Sequence, residues 1–120
     1  MTEQDPPVHL HVGDAVVARV AAHRARLVPG VVALRPDLPQ ALLGIAGTVF
    51  GHDRSRLPVD GVSVTVDGPS VEVAVSVVTR LGHNCRDLAV AVQRDVAAEV
   101  RAYTGLDVTV RVTVADVLLD

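Results

Sequence analysis

Val62-Ser63-Val64-Thr65-Val66-Asp67-Gly68-Pro69-Ser70-Val71-Glu72-Val73-Ala74-Val75-Ser76-Val77 is the stretch that decides the fold. Valine stands at alternate positions on both sides of Asp67-Gly68, and successive side chains of a strand point to opposite faces. Each arm therefore presents one valine face and one face made largely of Ser, Thr, Glu and Ala. Asp67-Gly68 is a turn signal, which Pro69-Ser70 lengthens beyond a tight two-residue loop. The segment reads as a β-hairpin with one face for a core.

Toward the C-terminus, Asn84 with Asp87 three positions on forms a variant capping box. It opens a helix whose Leu88, Val92, Val96, Val100 and Tyr103 recur at helical spacing, and Gly105 closes it. Leu106, Val108, Val110, Val112 and Val114 then alternate with Asp107, Thr109, Arg111 and Thr113, so the last element is a strand. Toward the N-terminus, Val8-His9-Leu10-His11-Val12 alternates and reads as a strand, ended by Gly13-Asp14 with Asp14 as the N-cap. A helix follows from Ala15, with Val16, Val20 and Leu27 near one stripe and Val17 and Ala21 beside it, until Pro29-Gly30 stops it. Val31 to Arg35 is a short strand or an extended crossing. Leu38 to Gly51 has no ionisable side chain but carries Gly44, Gly47 and Gly51, which predicts a short, Gly-rich buried or interfacial helix. His52 to Pro58 reads as a polar loop.

One-faced strands and one-striped helices bury most simply when both helices lie on the same side of one sheet. The predicted fold class is α+β: a two-layer sandwich of two main helices on a largely antiparallel sheet of three to five strands, with the Gly-rich helical segment added. One-sided burial is the mark of an antiparallel sheet. Residues 1–7 read as a flexible N-terminus, 8–117 as a single domain and 118–120 as a C-terminal tail.

Composition narrows the function classes. The chain has 120 residues, 49% hydrophobic and 21% charged, which fits one globular domain and excludes a charged disordered tail. Net charge is -3, all 11 cations are Arg, and two residues are aromatic, a poor basis for neutralising and stacking on a nucleic acid. The single Cys85 excludes an internal disulfide and any CxxC motif. No apolar run approaches the roughly 18 residues of a membrane span, and the first residues lack a basic signal-peptide start. A cytoplasmic location is the expectation.

Each motif that could carry chemistry has a plainer reading that outweighs it. His9 and His11 share a strand face, half of a metal site, yet no Cys, Asp or Glu pattern completes the four ligands of a structural zinc. Cys85 lies in the first turn of a helix, near His83 and Arg86, where a thiolate is favoured. No third group is placed to orient the imidazole, so a small buried-type Cys is preferred to a nucleophile. Gly44-x-x-Gly47 has the spacing of an RNA-clamping loop, but Ile45 and Ala46 replace the basic residues such a loop uses. Asp53 with Asp60, and Asp95 with Glu99, form no couple whose setting would shift a pKa. No catalytic, cofactor-binding or metal-binding residue is assigned. Two surfaces remain for partners: Leu43, Gly44, Gly47 and Phe50 in the Gly-rich segment, and Thr65, Thr109, Arg111 and Thr113 on the polar sheet face, beside Ser63, Glu72 and Ser76.

The order of motifs resembles the alkaline shock protein 23 family of Gram-positive bacteria, also called the Gls-type general stress proteins, over about Val8 to Val117. The resemblance is carried by Arg80-Leu81-Gly82-His83-Asn84, by Tyr103-Thr104-Gly105-Leu106 and by the alternating strand from Val108 to Val114. Asp60-Gly61-Val62-Ser63-Val64 and Val28-Pro29-Gly30-Val31 add to it, and Leu43-Gly44-Ile45-Ala46-Gly47 resembles the family's variable Gly-rich insertion. Leu81 departs from the usual aromatic, Cys85 stands where a Pro-containing helix start is common, and Arg replaces a Lys-rich surface, as in a high-GC actinobacterial chain. What the resemblance implies is a non-enzymatic adaptor or scaffold in cell-envelope homeostasis and envelope or alkaline stress. Its partners would be a membrane-anchored protein or paralogous family members at the inner face of the membrane, with self-association, and without a small-molecule substrate or cofactor. The alternatives are a small nucleic-acid-binding α+β module and, last, an enzyme using Cys85 and His83.

Overall fold

The computed structural model describes residues 7, 8, 10–36 and 61–119. Their order is α1 (Asp14–Arg26), β1 (Val31–Leu34), β2 (Val62–Asp67), β3 (Ser70–Arg80), α2 (Cys85–Thr104) and β4 (Asp107–Leu118). The arrangement is α+β, with both helices packed on one four-stranded sheet. The Gly-rich segment, the loop at 52–58, Asp53 and Asp60, and His9 lie outside the described residues.

β3 is the centre of the sheet: β1, β2 and β4 all pair with it. Val71, Val73, Val75 and Val77 are each at most 2% exposed, and each such burial is worth about 1.5–3 kcal/mol relative to leaving the side chain in water. The β2–β3 turn is tighter than its sequence suggests: Asp67 pairs with Ser70, leaving Gly68-Pro69 as a two-residue loop. Gly68 takes φ +61°, the left-handed first position such a turn demands, and Pro accepts the second.

Pairing along β3 is mixed. β1 and β2 run antiparallel to it and β4 runs parallel, over the longest register, from Ser70↔Asp107 to Arg80↔Leu118. The cause is the crossover. A helix of 20 residues spans about 30 Å, close to the length of β3, so the chain returns to the starting end of β3 before β4 begins. Thr104 fixes the re-entry: its hydroxyl donates to the Val100 carbonyl at 2.7 Å and accepts the Leu106 N–H at 3.1 Å.

β4 occupies one edge of β3, so β1 and β2 share the other, end to end. Ser76 joins them: its N–H donates to the Gly61 carbonyl at 2.8 Å, and its carbonyl accepts the Arg35 N–H at 3.1 Å. Two strands distant in sequence thus act as one interrupted edge strand.

The alternation at Val8 to Val12 does not produce a strand in the described residues. Both edges of β3 are taken, and Leu10 stays 70% exposed while Val12 packs on the core margin. Gly13, not Asp14, is the N-cap of α1, and Asp14 begins the helix with its carboxylate at the positive end. The buried stripe of α1 is Val17, Ala18, Ala21, Ala22 and Ala25, whereas Val16 and Leu27 face outward. Alanines at this spacing let the helix backbone settle close to the sheet, which the bulkier stripe would hold away. In α2 the stripe is as spaced, except that Thr104 rather than Tyr103 is buried at its end, and Tyr103 is 65% exposed. Asn84 caps α2 through its side-chain oxygen, which accepts the Asp87 N–H at 3.0 Å. Arg24 on α1 reaches Asp95 on α2 at 3.5 Å, so Asp95 bridges the helices rather than only facing water.

Candidate functional site

Helices cover one face of the sheet, and the other carries the polar alternates. The register orders them into rows. Thr65, Glu72 and Thr109 lie side by side across β2, β3 and β4; Ser63, Ala74 and Arg111 form the next row; Ser76 and Thr113 the third. Thr65, Thr109, Arg111 and Thr113 are therefore brought together on one face, as their strand positions require. Glu72, between the two threonines, pairs diagonally with Arg111 at 3.5 Å. With both side chains largely exposed, this contact is worth at most about 1 kcal/mol. An open depression of about 270 Å³ lies along the first row between Asp67 and Ser70. Leu43, Gly44, Gly47 and Phe50 lie outside the described residues.

A second depression, about 320 Å³, lies where β3 runs into α2, and Leu81, His83, Cys85 and Ala115 line it. It brings Cys85 and His83 to one place, and Cys85 is exposed. The imidazole packs where any side chain at Gly30 would have to sit. At its rim β4 bulges at Ala115, so that Val77 faces Val114 while Val78 faces Asp116. The bulge turns Asp116 toward Arg35, and the two bond at 2.9 Å. The Asp116 carboxylate is held below its ordinary value of 3.8, first by the Val117 N–H that it accepts and then by the Arg35 guanidinium. This pair was not among the sequence candidates. Its one signal is the break in alternation at Val114-Ala115-Asp116, where a strand of period two skips a residue.

Among the described residues no three His, Cys, Asp or Glu side chains converge as metal ligands. No helix among them is long and apolar enough to cross a membrane. What the geometry offers is a mostly uncharged polar face that nothing among the described residues covers, of the kind a protein surface can lie against.

Residues 3–119 match the model of one protein family, described as having a cell envelope-related function. The chain belongs to the alkaline shock protein 23 family. The match spans both described helices and all four described strands, so it covers the segments that carry the resemblance in motif order. No curated protein and no solved structure matches the chain. Membership of the alkaline shock protein 23 family places the protein in cell-envelope biology and assigns no residue a role.

Proposed function

We propose that this protein is a non-enzymatic adaptor of the cell envelope that works by protein–protein contact at the inner face of the membrane, in the response to envelope or alkaline stress. The observation that supports it is the sheet face, uncovered among the described residues, that carries Thr65, Glu72, Thr109, Arg111 and Thr113 in register. Among the described residues helices lie on one side of the sheet, an arrangement that leaves the second side to solvent or to a partner. Here that side is small and hydroxyl-rich, so a second protein can approach closely and exchange hydrogen bonds with it at little desolvation cost. The proposed occupant is a membrane-anchored protein, which would bring a chain of this family to the envelope.

Cosedimentation tests the proposal. The protein should pellet with membranes of its own cells and stay in solution with protein-free lipid vesicles or with protease-stripped membranes. A Thr65→Arg/Thr109→Arg variant, folded by circular dichroism, should lose the pelleting. Absence of wild-type pelleting with native membranes, or pelleting undiminished in the variant, would overturn the proposal.

A further inference from the structure

A groove of about 330 Å³ runs between α2 and the outer edge of β4. Its apolar walls are Val90 on the helix, 49% exposed, and Val112 on the strand. Arg86 and Arg111 line it as well, and among the described residues no acidic side chain does. Arg86 has no ionic partner among the described residues, and Arg111 holds only its exposed contact with Glu72 at 3.5 Å.

The backbone along the groove is also open. In a strand the N–H and C=O of one residue point to the same side, and alternate residues point oppositely. The Asp107 N–H reaches Pro69 at 2.9 Å and the Leu118 carbonyl accepts the Leu81 N–H at 2.8 Å, both on the β3 side. Counting through the bulge at Ala115, the groups of Val108, Val110, Val112, Val114 and Val117 face outward. Gln93 on α2 donates to the Val110 carbonyl at 3.1 Å, and the Val117 N–H donates to Asp116 at 2.8 Å. Between these two stops, the N–H and C=O of Val112 and Val114 have no partner among the described residues. An open ladder, an apolar wall and unneutralised positive charge meet in one place.

We propose that this groove takes a short extended segment of another protein, which adds to β4 as an antiparallel strand and alternates acidic with apolar residues. Strand addition draws affinity from main-chain hydrogen bonds and specificity from alternate side chains. Residues of the segment opposite Val112 and Val114 share their face, toward α2, and are the apolar ones because Val90 and Val112 flank them. The residues between lie on the face of Arg111 and Thr113 and are the acidic ones. Arg86 offers a second guanidinium to a carboxylate of the segment. The proposal goes beyond the adaptor reading and does not rest on it, since the edge and the open face are different surfaces.

Peptide binding tests it. A fluorescein-labelled Glu-Val-Glu-Val-Glu-Val-Glu peptide with blocked ends should raise anisotropy saturably, with a Kd below about 100 µM. The same peptide with Lys for Glu should not bind, nor should one N-methylated at its valines, whose N–H groups would face β4. Val112→Pro removes an outward N–H and no bond to β3, at an edge position where proline is tolerated. It should keep the circular dichroism spectrum and abolish binding. Arg86→Glu, on the exposed surface of α2, should weaken binding about tenfold. In the wild type, saturating peptide should slow hydrogen exchange at the Val112 and Val114 amides and leave β2 unchanged. No saturable binding up to about 1 mM peptide would overturn the proposal, as would equal binding of the lysine peptide, undiminished binding by folded Val112→Pro or by Arg86→Glu, or protection that falls on β2. So would an edge already taken by a second copy, read by ultracentrifugation as a dimer that Val112→Pro dissolves and the peptide does not. Pelleting with native membranes reads the open face and peptide binding reads this edge, so each reading can fail alone.

Discussion

Replacing Gly61 with alanine probes the join at which β1 and β2 meet on Ser76. Gly61 has φ +82°, and a Cβ there would lie 2.6 Å from the Arg35 nitrogen and 3.0 Å from the Leu34 Cβ. The first term of the cost is conformational, about 1–2 kcal/mol for an L-residue held in the left-handed region. The second is steric. The Arg35 nitrogen belongs to backbone that bonds Ser76 at 3.1 Å, so it cannot swing away as a side-chain tip would, and overpacking of this kind adds about 1–3 kcal/mol. Gly68→Ala and Gly105→Ala are the controls: both glycines have positive φ, at +61° and +76°, but nothing lies within 4 Å of a Cβ at either. They should cost the conformational term alone. In urea melts, with a slope of about 2 kcal/mol/M, the controls should lower the midpoint by about 0.5–1 M and Gly61→Ala by about 1–2.5 M. A Gly61→Ala midpoint within about 0.3 M of the controls would refute the claim that β1 and β2 meet as one interrupted strand.

Val96→Ala removes methyl groups from a fully buried position of α2 and should cost about 2–3 kcal/mol by chemical denaturation. Thr104→Val keeps the shape but breaks two hydrogen bonds at the α2–β4 junction, so it should cost about 1–3 kcal/mol in the same assay. Asp116 is held below its ordinary value of 3.8 in the folded chain. Its contribution is therefore full above that value and lost as pH falls through the lowered one. Asp116→Asn should flatten the acid end of the stability curve below about pH 4, and melts that keep the wild-type slope there would show that the pairing with Val117 and Arg35 does not act in solution.

The hairpin, α2 and the face to which each β2, β3 and β4 residue belongs were legible because periods of two and 3.6 are local properties of the chain. Thr65, Thr109, Arg111 and Thr113 could thus be placed on one polar surface from the sequence, and Gly105 could be read as the end of α2 from its conformational freedom. The buried stripe of α1 was not legible. A pattern of Val and Ala leaves two overlapping faces of similar greasiness, and the closeness of the sheet selects the one lined by Ala18, Ala21, Ala22 and Ala25. The alternation at Val8 to Val12 misled because a strand needs a neighbour as well as a pattern.

By itself, the sequence determined the α+β class, the polar and apolar faces, the caps of α2 and the family, all consequences of residue order over short spans. Only the tertiary structure decided that β4 is parallel to β3, that β1 and β2 share one edge through Ser76, and that Arg35 meets Asp116 across a bulge. Those features depend on which backbone groups of distant segments find each other, and hydrogen-bonding groups are the same in every residue but proline. Side-chain order therefore carries the faces, while the choice of neighbours belongs to the assembled chain.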